Sequence, residues 1–258
     1  MPEYKYRLSI ASAIYDTPML TALFLQAIGS HTDVPYELIL INNHPPYKGI
    51  DEILGNWIHE GARTNVKVLD FNENVGCHEA INRGFDQAQG EYLCKLDNDT
   101  IVPPGWASQM LEAFDKIPEL GFLSSYLDKD LQPWKRERKI INGIELEFCP
   151  ENMVTLSCAI FTRDAWEKLG PFKSIRDRKY YGGEEDTFYY KSKELGIMNG
   201  HYPKVVCKHM ARTPLTFAPY GLWKLRFCAG WTNLPFDRWL KESDEGKAML
   251  EGRSVENG

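Results

Sequence analysis

Gly90-Glu91-Tyr92-Leu93-Cys94-Lys95-Leu96-Asp97-Asn98-Asp99-Thr100 is a short apolar strand running into two aspartates separated by one residue. Side chains at i and i+2 of an extended chain point the same way, so Asp97 and Asp99 face one site where the strand ends. Two carboxylates so placed outline a seat for a hard divalent cation. Mg²⁺ prefers one or two carboxylates, several waters and the phosphate oxygens of a ligand, which suits a half-open site. An Asp-Asn-Asp turn capping a strand would use the same residue types for their own hydrogen bonds.

Upstream of that stretch the chain repeats one unit. Leu8-Ser9-Ile10-Ala11-Ser12-Ala13-Ile14 alternates large and small residues and ends at Tyr15-Asp16-Thr17-Pro18, after which apolar periodicity from Met19 to Ile28 predicts a helix opened by the proline. Glu37-Leu38-Ile39-Leu40-Ile41 is a second strand, ending in Asn42-Asn43-His44-Pro45-Pro46 before a helical pattern from Ile50 to about Glu60. Residues 66–71 form a third strand, 72–76 a turn and 77–88 a helix. Nearly continuous apolar strands alternating with helices predict an α/β fold, a mostly parallel central sheet flanked by helices on both faces. Ligands of such sheets bind beyond the carboxyl ends of the strands, where Asp16, Asn42, Asn43, Asp97 and Asp99 all fall. Neither G-x-G-x-x-G after the first strand nor G-x-x-x-x-G-K-[ST] is present, which disfavours dehydrogenases and P-loop enzymes.

The chain has 258 residues, 43% hydrophobic and 26% charged, enough for one substantial core. Its 30 basic and 36 acidic residues leave a net charge of −6, so general nucleic-acid binding is not expected and an anionic ligand needs local help. The six cysteines show no zinc-ligand spacing and read as buried thiols of a reducing compartment. With no bilayer-length apolar run, the expectation is a cytoplasmic protein without a transmembrane segment, with peripheral membrane contact left open.

The second half changes character. A helix is expected from Trp106 to about Lys116 and a strand at 121–125, whereas residues 126–150 look polar and irregular, with Lys135-Arg136-Glu137-Arg138-Lys139 read as a solvated loop. An apolar strand at 154–161 and a short helix at 164–169 precede Gly182-Gly183-Glu184-Glu185-Asp186, three acids at an expected helix start that closes at Gly196. Helix capping explains one or two of those acids, and a ligand site at the helix start explains all three. Val205-Val206-Cys207-Lys208-His209 ends on a histidine, residues 213–242 are aromatic-rich and expected to pack as helix and loop on the body, and residues 243–258 are expected to fray.

These stretches together resemble the family 2-like glycosyltransferases with the GT-A fold, over residues 7 to 212. The most specific block is Asn74-x-Gly76, Asn82-Arg83-Gly84, Gly90-Glu91-Tyr92 and Leu96-Asp97-Asn98-Asp99-Thr100, and Gly182-Gly183-Glu184-Glu185 with Gly196 is similar to the family's later G-G-E-D helix. The resemblance implies a GT-A domain at 1–212, with a nucleotide-binding half at about 1–100, an acceptor and catalytic half at about 101–212, and a C-terminal extension at 213–258. It implies transfer of a sugar from a nucleotide-sugar donor, a UDP-sugar favoured, to an acceptor hydroxyl, with inversion and with Mn²⁺ or Mg²⁺. Donor contacts are then expected at Ala13, Tyr15, Asp16, Asn42, Asn43, Asn74, Gly76, Asn82, Asp97 and Asn98. Metal ligands are expected at Asp99, Asp97 and His209, and the catalytic base at Glu185, with Asp186 and Glu184 as alternatives. Asn42 stands where the family commonly has a base-reading aspartate. Two other readings are a nucleotidyltransferase, which would release pyrophosphate, and a non-catalytic nucleotide- or carbohydrate-binding module.

Overall fold

The structure is a computed structural model, and it describes residues 3–43, 48–128, 135–173, 184–210, 214–232 and 234–253. Its first half follows the apolar runs: β1 (Tyr6–Ile14), α1 (Pro18–His31), β2 (Tyr36–Asn42), α2 (Lys48–Glu60), β3 (Val66–Asp70), α3 (Cys77–Asp86) and β4 (Gly90–Leu96). β2 and β4 flank β1 and β3 flanks β2, all in parallel register. Side chains alternate between two cores, as a sheet buried on both faces requires. Leu8, Ile10, Leu38 and Leu40 join Phe24, Leu25 and Ile28 of α1 on one face. Ala11, Ile39 and Ile41 join Ile81 and Phe85 of α3 on the other.

Two glycines let these layers meet. A Cβ on Gly90 would lie 2.6 Å from the Ser9 backbone nitrogen, so β4 can pair this closely with β1 only without a side chain there. A Cβ on Gly84 would stand 2.9 Å from Ile41 Cδ1 and 3.0 Å from Ala11 Cβ, so this glycine sets how tightly α3 lies on the sheet.

The second half comprises β5 (Thr100–Ile101), α4 (Trp106–Lys116), β6 (Leu120–Leu127), β7 (Glu137–Ile141), β8 (Ile144–Phe148), β9 (Cys158–Thr162), α5 (Arg163–Leu169), α6 (Glu184–Glu194), β10 (Met198–His209), α7 (Pro214–Cys228), α8 (Phe236–Glu242) and α9 (Asp244–Leu250). The sheet runs β3-β2-β1-β4-β9-β6-β10-β8-β7, with β5 paired to β10. β9 enters antiparallel between β4 and β6, so the parallel order of the first half does not continue across the whole sheet.

Two expectations are corrected. Part of the region read as irregular is a hairpin, β7 with β8, turning through Asn142 (φ 49) and Gly143 (φ 79). Asn-Gly supplies the two left-handed residues that a tight hairpin needs. The charges of β7 hid the strand; Arg138 pairs with Glu145 and Glu147 and Lys139 with Glu137, so the basic run lies partly in an exposed, internally neutralised strand. The second correction is at the carboxyl end, where residues expected to fray form α9, capped by Ser243 Oγ accepting from Gly246 N. Cys94, Cys149, Cys158 and Cys207 are buried free thiols, as expected, whereas the Cys77 thiol is only half-buried. Among the described residues no helix is long and apolar enough to cross a membrane.

Candidate active site

The strand order reverses at β1, which has β2 on one side and β4 on the other. A crevice at the carboxyl ends of such strands is where open α/β sheets bind ligands. A cleft there is lined by Ala13, Tyr15, Asn43, Asn74, Cys77, Asp97, Asn98, Asp99, Trp223, Lys224 and Phe227. Seven of these are residues expected from sequence. The remaining four, Cys77 at the start of α3 and three side chains of α7, are not. The cavity has a volume of about 110 Å³, below the ~300–1,000 Å³ typical of ligand pockets, with α7 closing one side.

Asn43 organises the turn that carries Asn74. Its amide nitrogen donates to Asn74 Oδ1 at 2.9 Å and to the Gly76 carbonyl at 3.3 Å, and its Oδ1 accepts from Val75 N at 2.9 Å. Gly76, at φ 86, precedes α3. Asn98 donates to Thr17 Oγ1 at 2.8 Å and Thr21 Oγ1 at 3.2 Å, which ties the Asp97-Asn98-Asp99 loop to the start of α1.

The two aspartates have different partners. Asp97 Oδ1 accepts from Lys95 Nζ at 2.6 Å, and that buried ammonium also reaches the Leu156 carbonyl at 2.9 Å. Asp99 sits at the junction of β4 and β5; because β5 pairs antiparallel with β10, Thr100 faces His209 and brings the histidine alongside. His209 Nε2 lies 3.5 Å from Asp99 Oδ1, and Lys224 Nζ lies 3.2 Å from Asp99 Oδ2. Burial would raise the Asp99 pKa, but the Lys224 charge and the His209 contact outweigh it and hold the carboxyl well below the usual range.

Among the described residues no cluster of three or more histidine, cysteine or acidic side chains could hold a metal. The described residues bring Asp99 and His209 together, whereas Asp97 is engaged by Lys95. One carboxylate and one imidazole, with the His209 Nδ1 buried and without a partner among the described residues, fit a divalent ion that completes its shell with water and ligand oxygens. Among the described residues a set of three protein ligands is not assembled.

Three further expectations meet other partners. Asp16, in the left-handed region at φ 43, accepts a hydrogen bond from Phe236 N and does not line the cleft. Its pKa is pushed up to about 7, chiefly by burial and further by Asp237, against the Phe236 N–H. Asn42 donates to Asp51 Oδ1 at 2.8 Å and Asp70 Oδ1 at 3.0 Å, away from the cleft wall. Asn82 clamps both backbone groups of Phe172, donating to its carbonyl at 3.1 Å and accepting from its nitrogen at 2.9 Å. Helix α6 begins at Glu184 as expected, but Gly182, Gly183 and the side chains of Glu184, Glu185 and Asp186 lie outside the described residues.

The α7 contacts form a third, small apolar cluster of Trp223, Phe227 and Trp239 with Tyr15 packed against it. The Tyr15 ring stacks on Phe227 at 4.9 Å between centroids and on Trp223 at 6.0 Å. The sequence signal was the aromatic density of residues 213–242, which pointed to packing but not to the cleft.

The fold is that of the GT-A glycosyltransferases. It is similar to the mannosyltransferase PcManGT from Pyrobaculum calidifontis in complex with GDP-Man and Mn²⁺, with TM-score 0.64 and 15% identity over 98% of this chain and 77% of that one. It is also similar to GalNAc-T7 with UDP, GalNAc and Mn²⁺, with TM-score 0.67 and 14% identity over 96% and 58% of the two chains. The chain belongs to glycosyl transferase family 2, whose sequence model matches residues 15–178. Among curated relatives, the UDP-Gal:alpha-D-GlcNAc-diphosphoundecaprenol beta-1,3-galactosyltransferase of Escherichia coli is 25% identical over 48% of this chain and 44% of its own length. The dolichol-phosphate mannosyltransferase of Pyrococcus furiosus is 23% identical over 77% of this chain and 52% of its own. The chain thus spans about half or less of the length of these relatives.

Proposed function

We propose that this protein transfers a sugar from a nucleotide-sugar donor, a UDP-sugar by preference, to an acceptor hydroxyl, with inversion and with the help of Mn²⁺ or Mg²⁺. The observation that carries the reading is one cleft at the β1/β4 switch point lined by Tyr15, Asn43, Asn74, Asp97, Asn98 and Asp99, with His209 beside Asp99.

In this reading the nucleoside lies against Ala13, Tyr15, Asn43 and the Asn74 turn, and the donor's diphosphate and sugar lie toward Asp97 and Asp99. Asp99 and His209 hold the cation, which when bound supplies Lewis-acid stabilisation of the leaving diphosphate. Asp97, oriented by Lys95, accepts hydrogen bonds from donor hydroxyls. One acid of Glu184, Glu185 and Asp186, Glu185 favoured, takes the proton of the attacking hydroxyl, a role that contributes about 10²- to 10⁴-fold. Residues 1–212 are the catalytic domain and the C-terminal extension completes the donor cleft. The acceptor is open; relatives named for diphosphoundecaprenol and dolichol-phosphate support peripheral contact with a membrane.

The test is a thermal-shift panel of UDP, GDP and their sugars with and without Mn²⁺, since a ligand that binds the folded state raises its stability by mass action. Stabilisation by one nucleotide sugar, strengthened by Mn²⁺ and lost in Asp99→Asn, is the expected result. Equal stabilisation of the wild type and Asp99→Asn, or none by any nucleotide, would sink the assignment.

A further inference from the structure

Both oxygens of the Asp99 carboxylate face a basic side chain. His209 takes one oxygen and Lys224 the other, the latter at 3.2 Å. The ammonium comes from α7, outside residues 15–178 that match the family. It is also not a surface lysine that happens to lie nearby. The Lys224 side chain is 36% exposed and Asp99 only 12%, and both line the same cleft as Asn98 and Tyr15. The helix is held over the cleft by the stack of Phe227 and Trp223 on Tyr15, and α8 after it is tied to the same strand end by the Phe236 N–H on the Asp16 carboxylate.

An ammonium and a divalent cation repel, and a cation held between Asp99 Oδ1 and His209 would share its carboxylate with the Lys224 ammonium on Oδ2, so metal binding weakens the hold of Asp99 on Lys224. A diphosphate that accompanies the cation would enter the cleft that Lys224 lines and offer the ammonium an anion there. The flexible four-carbon stem of lysine and its three rotatable donors allow such an exchange without moving the helix.

Resting on the glycosyltransferase reading above, we infer that Lys224 is the protein's own cation for the donor diphosphate, parked on Asp99 until a metal-bearing donor displaces it. This makes α7 part of the donor site. Metal alone competes with a tethered cation and binds weakly, whereas metal with nucleoside diphosphate gives Lys224 a new partner, so the two ligands favour each other's binding.

The test is calorimetric titration of the wild type, Lys224→Met and Lys224→Arg with MnCl₂ alone, then with UDP, GDP and the matching nucleosides at saturating Mn²⁺. Lys224→Met should bind Mn²⁺ alone about tenfold more tightly and lose about tenfold in its preference for nucleoside diphosphate over nucleoside, the size of one charge-assisted hydrogen bond. Lys224→Arg should keep that preference. If Lys224→Met fails to fold, as judged by circular dichroism, Lys224→Gln takes its place. Absence of either change in the neutral variant overturns the inference. A wild type that binds nucleoside diphosphate in an Asp99-dependent way while the Lys224 variants match it defeats this inference alone. A wild type that binds no nucleotide defeats the functional reading beneath it.

Discussion

Lys95 Nζ lies 2.6 Å from Asp97 Oδ1, and the lysine is 2% exposed on a strand where its neighbours Leu93, Cys94 and Leu96 are apolar and buried. A buried ammonium is costly unless paired and fully hydrogen-bonded, and here the Leu156 carbonyl supplies a second acceptor at 2.9 Å. The pair therefore sets the direction of Asp97 at the cleft. Lys95→Ala removes one partner of a largely desolvated pair and leaves a cavity, so a loss of about 3 kcal/mol is expected in urea unfolding. Lys95→Met with Asp97→Asn restores volume and removes both charges, and should recover most of that loss. A double-mutant cycle reads the coupling, and additivity of the two single changes would refute the pairing.

Asp16 gives the stability a pH dependence of unusual sign for an aspartate. Its folded-state pKa is pushed up to about 7 from an ordinary value of 3.8, with burial the main cause. The native state then holds a proton that the unfolded chain releases near pH 4, so this contribution is complete below that point and is lost as pH rises toward 7. The shift sets an upper bound of about 4 kcal/mol on the loss. Asp99 acts in the opposite sense and in another window, since its lowered pKa adds stability that disappears only when pH falls below the ordinary carboxylate range. Asp16→Asn should flatten the decline between pH 5 and 8 and exceed the wild type in stability at pH 8, measured by urea unfolding at both values. An unaltered slope would show that Asp16 does not carry it.

Gly84 and Gly90 belong to the same stretch of sequence but should respond differently to alanine. At Gly90 the new methyl meets the Ser9 backbone and Oγ and the Leu8 carbonyl carbon, all between 2.6 and 2.8 Å, in the middle of a strand pair. Overpacking of this kind costs about 1–3 kcal/mol, with the upper end expected where backbone cannot give way. At Gly84 the obstacles include the far end of Ile41, which can change rotamer, and the preference of a helix for alanine over glycine offsets part of the cost. Thermal melts of the two variants should therefore rank Gly90→Ala well below Gly84→Ala.

Much of the site was legible because it sits where a repeating pattern breaks. Apolar strands of the first half end in Tyr15, Asn43 and Asp97-Asn98-Asp99, and parallel pairing brings those ends to one cleft. Asn82 and Asn42 carried the same polar signal, but hydrogen bonds to Phe172 and to Asp51 and Asp70 engage them elsewhere. Polarity marks a residue that needs a partner and does not say which. Lys224 was illegible for the complementary reason: in sequence it is one lysine in an aromatic helix, and its meaning comes from the fold that brings α7 to Asp99 in the loop after β4. The β7/β8 hairpin was missed although Asn142-Gly143 announced it, because an exposed edge strand shows no apolar alternation.

Asn43 offers the sharpest separation of structure from chemistry in the donor cleft. It is 2% exposed, and its three hydrogen bonds hold the turn of Asn74 to Gly76 against the end of β2. Alanine there leaves the Val75 N–H and the Gly76 carbonyl short of a partner, a cost of about 2 kcal/mol in unfolding free energy. Aspartate is similar in size and keeps the acceptor for Val75, but it has no N–H to donate to Asn74. The negative charge would face the Asn74 Oδ1 and Gly76 carbonyl oxygens, so Asn43→Asp should fold less stably than the wild type and hold the turn less firmly. Because the turn shapes the wall where the nucleoside is proposed to lie, both variants should raise KM for the donor about tenfold while kcat falls less than threefold, the pattern of lost uniform binding. Steady-state kinetics with the donor identified by the nucleotide panel decides the matter, and a fall in kcat with KM unchanged would place Asn43 in the transition state and not in the donor's wall.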